Sequence, residues 1–519
     1  MDYAIQLKHV TKTFGQVTAN EDVSISIPEG QILSLLGENG SGKTSLMNLL
    51  AGIYYPDAGQ ILIHGKPVEI RSPRDAYELG IGMIHQHFKL IDVFTAAENI
   101  ALGLDKSEPY DLKAVKQKAK EICDTYHFDL DLDQKVYSMS VSQKQTLEIV
   151  KVLYRGADLL ILDEPTAVLT LQEIQKLFHV IRVMKEKGKT VILITHKLNE
   201  VMEVSDSVAV LRRGRYIGTI ETKNATESLL TEMMVGKKVE LNIERPAPEN
   251  TVKRLEIKHL SVTNLYGIRV LKDICFTVYG GEILGIAGVS GNGQKELLEA
   301  IAGLEAPEEG SSILYYPPEK ELEKGNRNIT PEMEIIGKNP KLIRDAGVHL
   351  SFVPEDRLGM GLVGSMGMPE NMMLKSYEKG HSIFVDKKAP KDLAEEIKNS
   401  LEVVTPGIST PVSRLSGGNV QKVLVGREIA ASPTVLMTAY AVRGLDINTS
   451  YTIYHLLNEQ KKKGVAVIYV GEDLDVLLAL CDRILVLCDG QVNGILDGRT
   501  ATKEEVGLLM TNLKGGSKA

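Results

Sequence analysis

Short, continuously apolar runs are spaced along this chain, with helix-like segments between them. Ile32-Leu33-Ser34-Leu35-Leu36, Asp158-Leu159-Leu160-Ile161-Leu162-Asp163 and Thr190-Val191-Ile192-Leu193-Ile194-Thr195 show no alternating polar face. Such runs predict parallel strands covered on both sides. Residues 111–128 and 143–156 read as helices, and a helix is expected to open near Ser45. Strands interleaved with helices predict an α/β fold, in which a ligand sits beyond the carboxyl ends of the strands.

The pattern occurs twice. Residues 19–53 (ANEDVSISIPEGQILSLLGENGSGKTSLMNLLAGI) and 270–304 (VLKDICFTVYGGEILGIAGVSGNGQKELLEAIAGL) align without a gap at an offset of 251. Later landmarks, Ser140 with Ser416 and Asp206 with Asp482, align at 276. The second copy therefore holds 25 more residues between those points. The charged, Pro-containing stretch 305–345 is expected to carry much of the excess as an exposed elaboration. A period near 250 residues means two whole domains, expected at 1–241 and 253–519. The polar, Pro-bearing stretch 242–252 is expected to be the linker.

Composition narrows the class. With 519 residues the chain exceeds a single core, and 43% hydrophobic and 25% charged residues suit a globular protein. A net charge of −8 argues against nucleic acid as the main partner. No apolar run is long enough to cross a bilayer, and Met1-Asp2-Tyr3-Ala4 leads into a strand-like pattern with no signal peptide. Four cysteines without C-x-x-C spacing read as reduced, mostly packing residues. A membrane role must come through a partner.

The chemistry begins at Gly37-Glu38-Asn39-Gly40-Ser41-Gly42-Lys43-Thr44, which matches the nucleotide-binding P-loop G-x-x-x-x-G-K-[ST] between a strand and a helix. Its glycines let successive N–H groups turn toward phosphate oxygens, and the positive end of the helix beginning around Ser45 adds to the same anion site. Lys43 can reach the outer phosphates and the Thr44 hydroxyl can ligate Mg²⁺. Asp163-Glu164 ends a predicted buried strand, so both carboxylates are expected at the P-loop edge. There Asp163 can hold Mg²⁺ and Glu164 can polarise the attacking water. His196 follows the next strand, where an imidazole can donate to the γ-phosphate. Gln86 can offer a neutral oxygen to Mg²⁺ or water. Phe14 either stacks on a base or belongs to a core.

The ordered set of P-loop 37–44, Gln86, a Ser-containing motif at 139–143, Asp163-Glu164 and His196 resembles the ATP-binding-cassette family. The resemblance covers nearly all of both halves. It implies two tandem P-loop NTPase cassettes, each a RecA-like core plus a helical subdomain, with ATP and Mg²⁺ as cofactors. In the family two cassettes meet head to tail, each ATP lying between the P-loop of one and the L-S-G-G signature of the other. The intact signature here is Leu415-Ser416-Gly417-Gly418, so Ser416, Gly417 and Gly418 are expected to complete the site built on Lys43, Asp163 and Glu164.

The second copy departs from the pattern. Its P-loop reads Gly288-Val289-Ser290-Gly291-Asn292-Gly293-Gln294-Lys295, with Gln294 in place of the lysine and Lys295 in place of the hydroxyl. Asp163, Glu164 and His196 map to Ala439, Tyr440 and Glu472, and Gln86 aligns with Glu355. These losses together remove the machinery for phosphoryl transfer. Two extra acidic groups at 355 and 472 are expected to repel a γ-phosphate unless metal or protonation intervenes. Copy one, conversely, has Ser140-Val141-Ser142-Gln143 where the signature glycines belong. One hydrolytic site and one regulatory or structural site are expected.

Tandem cassettes of this size resemble the ATPase subunits of bacterial importers for nucleosides or simple sugars such as ribose and galactose. His85-Gln86-His87-Phe88 and the run from Asp163 to Thr170 favour the nucleoside group; Ser140-Val141-Ser142-Gln143 also suits the sugar group. The implied partners are two transmembrane permeases and an extracytoplasmic binding lipoprotein. The implied place is peripheral, at the cytoplasmic face of the plasma membrane. A soluble translation-type ATPase is the alternative from another class. The five methionines between Gly359 and Met373 either line a groove for a permease helix or pack a core.

Overall fold

The computed structural model describes residues 3–15, 17–85, 88–102, 111–166, 169, 171–236, 242–249, 251–264, 266–289, 291–323, 329–377 and 386–511. The chain divides into two units, Met1–Glu240 and Leu241–Ala519.

In the first unit, β1 (Tyr3–Phe14) and β2 (Val17–Pro28) form an antiparallel hairpin. The chain then enters β3 (Ile32–Leu36), whose five residues are all buried. β4 (Ala58–Ile63) and β5 (Lys66–Val68) join the hairpin in a four-stranded sheet of order β2-β1-β4-β5. β6 (Ile81–Ile84), β7 (Leu159–Asp163), β8 (Thr190–Thr195), β9 (Ser207–Arg212) and β10 (Arg215–Glu221) complete a second sheet of order β10-β9-β3-β8-β7-β6. From β9 to β6 this sheet is parallel. Val191, Ile192, Leu193 and Ile194 of β8 are each 0% exposed. Burial from both faces explains why these strands carry no polar alternation. The helices Ala96–Ala101, Leu112–Tyr126 and Val141–Tyr154 pack a separate core of Ile100, Ala119, Cys123, Val136, Leu147 and Val150.

The second unit repeats the plan. β11 (Val252–Thr263) and β12 (Arg269–Gly280) form its hairpin, followed by β13 (Ile283–Ala287), β14 (Ser312–Tyr315) and β15 (Met333–Glu334). β16 (Leu350–Val353), β17 (Val435–Ala439), β18 (Ala466–Val470), β19 (Arg483–Cys488) and β20 (Gln491–Asp497) follow. The sheet orders are β12-β11-β14-β15 and β16-β17-β18-β13-β19-β20. Even local irregularities recur. His9 and Asp22 both have positive φ (54° and 51°) and pair at 2.7 Å; His259 and Asp273 do the same (52° and 58°, 2.7 Å).

Two expectations need correction. The stretch 305–345 is not simply exposed: Ile313, Tyr315, Met333, Ile335 and Ile343 lie in the core. Only the connection between β14 and β15, residues 316–332, is long, where the first unit turns from β4 to β5 over 64–65. The stretch 242–252 is not a free linker either. Arg245 donates to the carbonyls of Leu478, Cys481 and Gly498 at 2.7–2.9 Å. Asn458 donates to the Glu244 carbonyl and Lys461 to that of Pro246. Backbone polar groups there thus find partners on the second unit's own helices.

That covering segment changes an ion pair present in both copies. Asp206 accepts the N–H of Ile32 at the start of β3, and Asp482 that of Ile283 at the start of β13, both at 2.9 Å. Lys185 pairs with Asp206 at 2.6 Å, with side chains 38% and 33% exposed. Lys461 pairs with Asp482 at 2.8 Å, at 2% and 4%. Breaking a buried pair strands a charge, whereas a solvated pair contributes little. Lys461→Met is therefore expected to destabilise the second unit by about 3 kcal/mol, Arg499 remaining 3.3 Å from Asp482. Lys185→Met should cost the first unit under about 1 kcal/mol. Urea unfolding of the two variants checks this, and equal losses would contradict it.

Candidate active site

Because β3, β8 and β7 are parallel neighbours, their carboxyl ends open on one edge. The P-loop leaves β3, His196 follows β8, and Asp163-Glu164 closes β7. Sheet order thus brings together residues up to 159 positions apart in the sequence.

Loop geometry demands its glycines at two points. Gly42 has φ 96°, and a Cβ there would lie 2.3 Å from the Ala19 carbonyl oxygen. A Cβ on Gly37 would lie 2.4 Å from that of Leu211. The helix Lys43–Leu50 follows, with no acidic residue in its first turn. Lys43 is 6% exposed, and its Nζ donates to the carbonyls of Gly37 (2.7 Å) and Glu38 (3.0 Å). Burial lowers its pKa, opposed by Glu164, Asp163 and Glu38. Among the described residues, Ser41 Oγ is buried without a hydrogen-bond partner. A desolvated cation, an unsatisfied hydroxyl and a side-chain-free cradle at a helix N-terminus fit the phosphates of a nucleotide. Asn39, Gly40, Thr44 and Ser45 lie in the same loop and first turn.

The acidic pair divides by environment. Thr44 Oγ1 lies 3.5 Å from Asp163 Oδ1, a hydroxyl and a carboxylate suited to a hard divalent cation. Asp163 is 7% exposed, and burial together with Glu164 pushes its pKa up to about 6. Glu164 instead pairs with His196 Nδ1 at 2.9 Å, which lowers its pKa against desolvation. Glu164 also sits at φ 46°, its N–H donating to the Ile194 carbonyl at 3.0 Å. A non-glycine residue there costs about 1–3 kcal/mol. The bend turns the chain off the strand edge directly after the metal-type carboxylate. Sequence reasoning missed the Glu164–His196 pair, because 32 residues separate its members.

Phe14 is not a core residue. It is 41% exposed, meets Tyr54 edge-on at 4.9 Å, and has Lys12 Nζ 5.5 Å from its ring centre. Gln86 lies outside the described residues. Ser416 caps the helix Gly417–Ala430, accepting the Asn419 N–H at 3.4 Å. Gly417 and Gly418 are tightly placed: a Cβ would lie 3.2 Å from Arg357 Nη1 and from Asp446 Oδ2, respectively. In the first unit, Ser140 and Gln143 close a reciprocal capping box over the corresponding turn. Of the methionines, Met368 and Met372 are buried, while Met360 (46%) and Met366 (38%) are exposed, so the stretch divides between core and surface.

In the second unit the same edge has different chemistry. Gln294 is buried and donates to the Val289 carbonyl at 3.1 Å, mimicking the resting contact of Lys43. Lys295 runs along its helix toward Glu299 at 3.8 Å. Tyr440 keeps the strained bend, with φ 50° and its N–H on the Val470 carbonyl at 3.0 Å. The two acidic groups expected to repel a γ-phosphate, Glu355 and Glu472, are bridged by Arg443, through Nη1 to Glu355 at 2.5 Å and through Nε to Glu472 at 3.1 Å.

Asp163 yields a pH-dependent prediction for the metal-free, nucleotide-free protein. Its folded pKa lies above the unfolded value near 3.8. Below about pH 3.8 both states are protonated and nothing is lost. Between about pH 3.8 and 6 the unfolded chain ionises this group while the folded one keeps its proton, so stability falls by up to about 3 kcal/mol, a loss complete once pH has risen through about 6. Asp163→Asn should therefore exceed the parent in stability at pH 7, the gap vanishing toward pH 4. Urea unfolding in EDTA across that range measures it; a pH-independent gap would contradict the assignment.

The sequence pattern of the ABC transporter family matches residues 20–167 and 271–438. Over 511 residues, 98% of this chain and 97% of the relative, the chain is 41% identical to the nucleoside import ATP-binding protein NupA of Lactococcus lactis subsp. cremoris (strain MG1363). It is 39% identical to the guanosine import ATP-binding protein NupO of Bacillus subtilis (strain 168), covering 98% of both. The ribose import ATP-binding protein RbsA of Corynebacterium glutamicum is 36% identical over 97% of this chain and 92% of its own length. With matches in both halves and the phosphate cradle, acidic pair and strand-end histidine on one sheet edge, this chain belongs to the ABC transporter family as a tandem pair of ATP-binding cassettes.

Proposed function

We propose that the chain is the ATP-hydrolysing, energy-coupling subunit of a nucleoside importer, and that hydrolysis takes place on the first unit. The carrying observation is the asymmetry of the two sheet edges. The first presents Lys43, Thr44, Asp163, Glu164 and His196; the second presents Gln294, Lys295, Ala439, Tyr440 and Glu472. Phosphates of ATP would displace the loop carbonyls from Lys43, giving a desolvated cation its counter-charge. Thr44 and Asp163 would hold Mg²⁺, with Gln86 as a further neutral ligand; the ion supplies charge neutralisation on the phosphates. Glu164 orients water for in-line attack on the γ-phosphorus, the bond to the bridging oxygen breaks, and ADP keeps the electron pair. His196, already joined to Glu164, steadies that carboxylate and would donate a hydrogen bond to the γ-phosphate, while the proton of the attacking water passes to the released inorganic phosphate.

The signature Ser416-Gly417-Gly418 is proposed to complete this site by head-to-tail pairing of the cassettes. A helix N-terminus flanked by glycines can bring N–H donors close to phosphate. Phe14, exposed and edged by Tyr54, offers a face to the base. Two permeases and an extracytoplasmic lipoprotein are the proposed partners, holding the chain at the cytoplasmic face of the membrane. Among the described residues no helix is long and apolar enough to cross a membrane. The nucleoside assignment is supported by the nucleoside and guanosine import relatives; the ribose import relative favours a simple sugar as the second reading.

Steady-state ATPase activity in the assembled transporter tests the asymmetry. Lys43→Ala is expected to abolish turnover, and Gln294→Ala to leave most of it. Equal losses would sink the single-site reading. Glu164→Gln keeps size and hydrogen bonding but loses the carboxylate, and should bind Mg-ATP while hydrolysing about 10²–10⁴-fold more slowly. Near-normal single-turnover hydrolysis in that variant would contradict the role of Glu164.

A further inference from the structure

The second unit's sheet edge is not simply a decayed copy. Glu355 follows β16, Tyr440 follows β17 and Glu472 follows β18. All three occupy positions whose first-unit counterparts face the outer phosphate in the proposed function. One side chain ties them together. Arg443 bonds Glu355 through Nη1 and Glu472 through Nε, and its guanidinium lies 5.9 Å from the Tyr440 ring centre. The Arg443 carbonyl in turn accepts Arg357 Nη2. Tyr440 is a neutral phenol: burial, then Glu472 and Glu355, push its pKa up to about 12.

The charges decide what this edge can accept. Gln294 has no charge and is committed to the Val289 carbonyl. Lys295, with its side chain 56% exposed, points toward Glu299. Ala439 has no ligand atom for a metal. For a γ-phosphate to recruit Arg443, the guanidinium would have to release two carboxylates beside a polyanion. Each half-exposed pair is weak by itself. The obstacle is the repulsion among the groups left behind, which grows with every negative charge brought in.

We infer that Arg443, committed to Glu355 and Glu472, makes the second cassette refuse Mg-ATP, so that the chain carries one Mg-ATP and not two. This rests on the reading of the first unit as the ATP site. It replaces a nucleotide contact with an internal ion-pair bridge, so the second unit keeps the shape of a cassette without a ligand.

Equilibrium dialysis of the full chain bearing Glu164→Gln, with radiolabelled ATP and Mg²⁺ to about 1 mM, tests the inference by stoichiometry. One nucleotide per chain is expected. Two would overturn this inference and leave the proposed function standing; none would overturn that function and this inference with it. The cause is tested by adding Glu355→Gln and Glu472→His, which free Arg443 for an anion. A second bound ATP is then expected, and a count that stays at one would refute the role of Arg443. Adding Arg443→Ala instead leaves both carboxylates without the cation and should keep the count at one; a rise to two would show that the arginine merely fills space, and would equally refute the assignment. Arg443 is 51% exposed at its side chain, and a thermal melt of each variant confirms that the fold survives.

Discussion

Three neighbouring parallel strands, buried on both faces, support everything else in each unit. In the first, β3, β8 and β7 are held in register by continuous ladders and covered by apolar side chains on both sides. Such strands can present polar chemistry only where they end. Their carboxyl ends are therefore where the phosphate loop, the histidine and the acidic pair emerge. The sharp turn at Glu164, with its left-handed backbone, is part of this constraint. It lets Asp163 remain in the strand while the next carboxylate swings to His196.

The second unit separates that scaffold from its chemistry. Tyr440 retains the left-handed bend and the bond to the neighbouring strand, although its side chain cannot orient water as a carboxylate does. Gln294 retains the contact of the P-loop side chain with its own loop. The bulged His–Asp pairs of the two hairpins match as well. Backbone strain and hydrogen bonding recur where the side chains differ, because the sheet needs the former to close its edge.

Site and stability pull against each other in the first unit. A carboxylate buried beside another one is costly, and Lys43 offsets only part of that cost while it rests on loop carbonyls. The unsatisfied hydroxyl of Ser41 is a smaller cost of the same kind. In the proposed function these groups meet a ligand carrying both negative phosphates and a divalent cation. At the corresponding edge of the second unit, Arg443 instead pairs with Glu355 and Glu472.

Much of this protein was readable from short-range spacing. The apolar runs that became β3, β7 and β8, the helices near 112–126 and 141–154, and the P-loop each depend on near neighbours in the chain, and local patterns encode those; the duplication showed as one such pattern repeated at an offset of 251. What tertiary structure decided depends on pairs far apart in the chain. Arg443 meets Glu355 across 88 residues and also pairs with Glu472, a bridge that local spacing does not encode. Arg245 reaches Leu478 and Gly498, converting a linker-like sequence into part of the second unit. The charged stretch 305–345 reads as surface, yet its few apolar residues return to the core because β14 must pair with β11. Composition reports how polar a segment is on average. Only the folded backbone determines which charge stands opposite which, and a single opposed pair can reverse the meaning of both residues.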